Sequence, residues 1–117
     1  METETYVKEC RRTEAGVTGE LNLDHDKVRL LHTVLGIATE AGEVVDVLKK
    51  EIFYHREFDK EHFLKELGDV LWYVAMAADI LGVKLEDVMN MNIAKLRARY
   101  PEKFSCELAN NRKEGDI

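Results

Sequence analysis

The chain has 117 residues and 13.5 kDa, enough for one domain and too little for separate cofactor and substrate modules. Its 45% hydrophobic and 34% charged residues exclude a disordered tail or fibrous repeat, and a single proline with seven glycines is too little punctuation for a sandwich or barrel. Seventeen Lys and Arg against 23 Asp and Glu leave a formal charge of −6, which repels nucleic-acid polymers and anionic membranes, so a polyanionic ligand needs a bridging cation.

Cys10 and Cys106 have no CxxC or Cys/His metal spacing, which predicts free thiols in a reducing compartment. The opening METETYVKEC lacks the basic and apolar regions of a secretory signal. The longest apolar run, Val70 to Ala78, is far short of the roughly 18 residues of a membrane span, so the expectation is a soluble, cytoplasmic protein.

In chain order, a short helix is expected over Thr3 to Arg12. A loop follows through residues 14–26, ending in a cap at Asp24 or Asp26. From Lys27 to Tyr54, residues Leu31, Val34, Ala38, Ala41, Val45, Leu48 and Ile52 recur at steps of three and four and predict a long amphipathic helix. Asp59 caps a third helix, whose stripe Phe63, Leu67, Val70, Leu71, Val74, Ala78 and Leu81 ends at Gly82. Leu85, Val88, Met89, Leu96 and Tyr100 trace a fourth that Pro101 terminates. The predicted fold is all-α, a small helical bundle made of a helix hairpin plus flanking helices. It forms one domain over 1–117, with its core at about 27–104 and a polar C-terminal tail at 105–117. The third helix has a second face, His62, Glu66, Asp69, Tyr73, Met76 and Ile80. A helix needing cover on both sides in so small a chain predicts a homo-oligomer.

Glu40 and Glu43 lie three residues apart in TEAGEV, about 60° apart on one helix face, and Glu66 with Asp69 repeats the spacing in KELGDV. Either pair alone is commonplace on a solvated helix. On the two arms of an antiparallel hairpin, the four carboxylates can converge. Two negative charges 4 Å apart repel by roughly 4 kcal/mol at an effective dielectric of 20, so such a cluster calls for a cation. Oxygen-only donors favour Mg²⁺, or Mn²⁺ in its place, over zinc, and the Glu-x-x-His pairs of di-iron bundles are absent. Gly42 and Gly68, one inside each pair, suggest a close backbone approach, for a ligand or for tight helix packing.

On the fourth helix, Asn92 shares the stripe of Leu85, Val88 and Leu96, flanked by Lys95 and Arg99. That is either a phosphate clamp, or an amide bonded to core backbone beside two solvated cations. Trp72 and Tyr73 can serve as core and interface residues or as a base-stacking platform, and Phe53, Tyr54 and Phe58 are equally open.

GIATEAGEVVDVLKK, KELGDVLWYVA and NIAKLRARYP together resemble the MazG-like all-α nucleoside triphosphate pyrophosphohydrolases, marked by an ExxE pair followed by an ExxD pair. The similarity runs from about Leu31 to Phe104. It implies Mg²⁺-dependent cleavage of a nucleoside triphosphate to monophosphate and pyrophosphate in nucleotide-pool housekeeping. Metal would sit on Glu40, Glu43, Glu66 and Asp69, and phosphate on Asn92 and Lys95, with Lys49 or Lys50 within reach of a phosphate. It further implies dimers or tetramers. Related activities, dUTPase-like or phosphoribosyl-ATP-cleaving, and a helical oligomer that binds nucleotide without turnover, are the alternatives.

Overall fold

The computed structural model describes residues 1–16, 21 and 23–117. Five helices follow in order: α1 Thr3–Thr13, α2 His25–Tyr54, α3 Lys60–Ile80, α4 Leu85–Arg99 and α5 Cys106–Asn110, with no strand among the described residues. Residues 17–20 and 22 of the expected loop lie outside the described residues. No helix of the described residues is long and apolar enough to cross a membrane. Cys10 and Cys106 are both free and exposed.

The helix ends follow from local chemistry. The Asp24 carboxylate accepts the Lys27 N–H at 2.7 Å, so Asp24 rather than Asp26 caps α2. Asp59 accepts the His62 N–H at 2.9 Å at the start of α3. That helix closes where Gly82, at φ 72, lets the Val83 N–H return to Ala78 O and its own N–H to Asp79 O, satisfying two carbonyls left over at the helix end. α4 stops at the residue before Pro101. The tail at 105–117 departs from expectation: the Ser105 hydroxyl accepts the Leu108 N–H at 3.3 Å and starts the one-turn α5, too short to carry a periodic signal.

α2 and α3 form the main contact, and α4 packs more sparsely on α3. Gly36 and His32 meet Tyr73, and Glu40 meets Glu66 and Asp69, so sequence numbers rise along one helix as they fall along the other and the pair is antiparallel.

The face that α2 turns to α3 corrects the expected one. Thr33, Gly36 and Val47 are buried, with Ile37, Glu40 and Val44 half-buried, whereas the entire predicted stripe of Leu31, Val34, Ala38, Ala41, Val45, Leu48 and Ile52 is exposed. The small residues explain the choice. A β-carbon at Gly36 would fall inside the van der Waals envelope of the Tyr73 ring, so only glycine lets the two backbones come this close. On α3 both expected faces are partly covered: Glu66, Tyr73, Met76 and Ile80 are half-buried on one, and on the other Ala78 is buried and Phe63, Val70 and Val74 half-buried, while Leu67 and Leu71 remain exposed. Close helix packing within the chain therefore occurs at Gly36, whereas at Gly42 and Gly68 an added β-carbon meets no other part of the chain within 4 Å. Gly36→Ala is expected to wedge the hairpin apart and lower stability by roughly 1–3 kcal/mol, read as a lower urea midpoint, while Gly42→Ala leaves that midpoint in place or raises it.

Candidate metal centre

Glu40 comes from the middle of α2, and Glu66 with Asp69 from one turn of α3. The tight crossing at Gly36–Tyr73 places these two stretches opposite each other. One carboxylate oxygen from each of Glu40, Glu66 and Asp69 lies within 4.8 Å of the others. Glu40 and Glu66 are half-buried and Asp69 is exposed, so the cluster sits at the lip of the hairpin, open to ligand on one side. Asp69 and Glu40 share a groove of about 320 Å³ with Trp72 and Tyr73.

Glu43 is the exception among the four expected carboxylates. It is exposed and stays outside the trio, although its charge still bears on Glu40. A three-residue step keeps it on the same side of α2 but moves it one turn along the crossing, past the point where α3 is closest.

Sequence spacing assigns His62 only to a helix face. Its Nε2 lies 2.7 Å from Glu66 Oε1, one helical turn away, and holds the carboxylate of a side chain that is 15% exposed. The i, i+4 spacing of His62 and Glu66 was the available signal.

Burial and the neighbouring acids Glu66, Asp69 and Glu43 push the Glu40 carboxyl above the ordinary carboxylate range, with Glu66 close enough to share its proton. Among the described residues, no lysine or arginine lies within 4 Å of the trio. The cations of this region are engaged elsewhere: Lys50 bonds Asp46 at 2.7 Å, Lys65 bonds Glu61 at 2.9 Å, and Lys49 sits over the Tyr54 ring. An all-oxygen donor set with uncompensated charge fits a hard divalent cation such as Mg²⁺ or Mn²⁺.

The expected cations of α4 do not join this cluster. Arg99 is committed to Asp116 through two bonds of 2.8 and 2.7 Å, and Lys95 lines a cavity beside it, not the carboxylate groove. Asn92 is exposed rather than seated in a core stripe, because α4 packs on α3 along little of its length.

Set against known families, residues 29–104 match the model of the MazG nucleotide pyrophosphohydrolase domain. The chain belongs to the MazG family. The match takes in α2 from Arg29 onward, α3 and α4, with every residue of the acidic trio, and leaves out α1, α5 and the segment after it. Among curated proteins, this MazG chain is 36% identical to the Gene 37 protein of Mycobacterium phage L5 over 77 residues, which are 60% of this chain and 65% of the phage protein. It is 42% identical to the uncharacterized protein YvdC of Bacillus subtilis (strain 168) over 45 residues, 38% of this chain and 42% of that protein. The chain thus spans less than two thirds of either relative, and no solved structure matches it.

The raised Glu40 pKa makes a signed prediction for the metal-free MazG chain. The folded state holds this proton more tightly than the unfolded chain, so Glu40 contributes stability that is present at low pH and lost as pH rises through the raised folded value. In EDTA, lowering the pH from 7 toward that value is expected to raise the melting temperature of the wild-type chain. Glu40→Gln removes that rise. The aspartates Asp46 and Asp116, held below the usual range by Lys50 and Arg99, lose their contribution only below the ordinary carboxylate pKa and do not mask it.

Proposed function

We propose that the chain hydrolyses nucleoside and deoxynucleoside triphosphates to monophosphate and pyrophosphate with Mg²⁺, or with Mn²⁺ in its place, as a nucleotide-pool housekeeping enzyme. The observation that carries this reading is the meeting of Glu40, Glu66 and Asp69 at the lip of the hairpin inside a MazG domain. Those three residues hold the cation, with His62 fixing the Glu66 carboxylate and Glu43 at the edge to orient the attacking water. When bound, the cation neutralises the triphosphate and lowers the pKa of a coordinated water. Water oxygen bonds to the α- or β-phosphorus while the anhydride bond between them breaks, its electron pair leaving with the departing phosphate group and the water's proton passing to Glu43, so no covalent enzyme intermediate is needed.

Asn92 and Lys95 contact the polyphosphate, and Lys49 and Arg99 add positive charge. Support for Asn92 and Lys95 is their place in the NIAKLRARYP stretch, inside the matched region, together with their exposure on α4. Their distance in the fold from the groove of Glu40 and Asp69 is met by assembly. The working unit is a homodimer or homotetramer, in keeping with the aliphatic faces that a single chain leaves open. Trp72, 54% exposed beside Asp69, is in place to receive a base or a second chain.

The test is product analysis across a panel of NTPs and dNTPs with Mg²⁺, including dUTP and phosphoribosyl-ATP. Equimolar monophosphate and pyrophosphate are expected. Stable nucleotide binding with no product from any of them would replace the enzyme with a nucleotide-binding oligomer.

A further inference from the structure

A second charged site is built from α4, α5 and the segment that follows. The segment after α5 turns at Gly115, whose φ of 85 needs no β-carbon, and brings Asp116 back onto α4. There the Arg99 guanidinium, 10% exposed, grips both Asp116 oxygens while lying over the Tyr100 ring. The cavity behind this pair measures about 370 Å³ and is lined by Lys95, Arg99, Arg112 and Lys113 against two carboxylates, Glu114 and Asp116. Ala98 and Leu108 give it an apolar floor. Lys95 and Arg112 add to Arg99 in holding the Asp116 carboxyl below the usual range. A chain of net charge −6 thus gathers three further cations around one largely covered guanidinium.

We propose that this cavity is an oxyanion site for a phosphate-bearing ligand, closed here by the chain's own Asp116, which the ligand displaces. Arg presents the same fork to phosphate as to carboxylate, and phosphate brings more charge to the surrounding cations, so it is the stronger partner. Holding Asp116 in place also closes a loop of 17 residues, an entropic cost that favours release. Asp116 lies beyond the region matched by the MazG domain, so the closure is a property of this chain's own segment. The site draws on the phosphate-contact role proposed for Lys95, yet anion binding here requires neither the carboxylate trio nor turnover.

The test is calorimetric titration of inorganic tripolyphosphate into the full chain in EDTA, where the acidic trio can only repel it, with amide exchange of residues 112–117 followed in the same samples. Asp116→Asn is expected to bind at least tenfold more tightly than wild type, Arg99→Gln to lose binding, and tripolyphosphate to speed exchange at 112–117 in the wild-type chain. Equal or weaker binding by Asp116→Asn, with circular dichroism unchanged, makes the ion pair a plain tether and overturns the proposal. With Mg²⁺ and a nucleotide substrate, a fall in KM for Asp116→Asn identifies the substrate's polyphosphate as the displacing group. An unchanged KM alongside tighter tripolyphosphate binding identifies a separate phosphate ligand. A chain that hydrolyses nothing but binds tripolyphosphate in this pattern refutes the proposed hydrolysis and leaves the anion site standing.

Discussion

Asp69→Asn is expected to reduce Mg²⁺-dependent pyrophosphate release at least ~10³-fold, a loss of about 4 kcal/mol in transition-state stabilisation. Asparagine keeps the shape and removes the charge, so what disappears is an anionic ligand in a set of three whose oxygens lie within 4.8 Å of one another. Stability should move the opposite way in the metal-free protein. Glu40 is crowded by Glu66 and Asp69, with no lysine or arginine paired to the trio among the described residues, and Glu40→Gln or Asp69→Asn relieves that repulsion, so both variants are expected to melt higher than wild type in EDTA. Wild type should recover its deficit on adding Mg²⁺, by about 2.7 kcal/mol at a hundredfold excess over Kd, or roughly 10 °C for a chain of this size. The variants should show little of that shift. This crossing pattern, an inactive variant that is more stable without metal and less responsive to it, separates a metal centre from an acidic patch on a solvated face. Variants that keep turning over nucleotide, or that gain as much as wild type from Mg²⁺, would remove the cation from Glu40, Glu66 and Asp69.

The parts legible in the sequence were those set by local chemistry. Asp24 and Asp59 cap their helices because a side-chain oxygen two or three residues ahead of a free N–H is a local arrangement, and Gly82 ends α3 because its backbone can turn left-handed. The hairpin and the meeting of its two acidic stretches followed from helix lengths and a short connection. What could not be read was which face of α2 meets α3. That helix carries two apolar faces, and periodicity ranks the larger one, Leu31 to Ile52, above the smaller. Close packing decided otherwise, since Gly36 admits Tyr73 where a leucine would hold the helices apart. The same selection carried the point of close approach to Gly36 and left Glu43 one turn away from the trio. The Arg99–Asp116 pair joins residues 17 apart across a one-turn helix and carries no spacing signal at all.

The face left out of the hairpin carries the second large expectation, that the chain folds only as it assembles. Val47 and Ala78 are the only buried hydrophobic residues among those described, while Val45 is 64% and Ile52 59% exposed on a stripe that runs nearly the length of α2. The radius of gyration is 20.1 Å, against roughly 13 Å for a compact domain of this length. Such a chain has buried too little apolar surface to offset its conformational entropy, and another copy packed on the stripe would supply the missing burial. Sedimentation of the wild-type chain is therefore expected to give a dimer or tetramer, with a melting temperature that climbs with protein concentration. Val45→Asp combined with Leu48→Asp puts two unpaired charges in the centre of that contact, each costing several kcal/mol to bury. Helix content by circular dichroism should then fall together with the loss of assembly. The paired control is Lys8→Asp, exposed on α1 and away from that stripe, which should leave assembly intact. A wild-type monomer that melts at one temperature at every concentration would contradict the expectation. In that case the aliphatic stripe would have to be covered within a single chain.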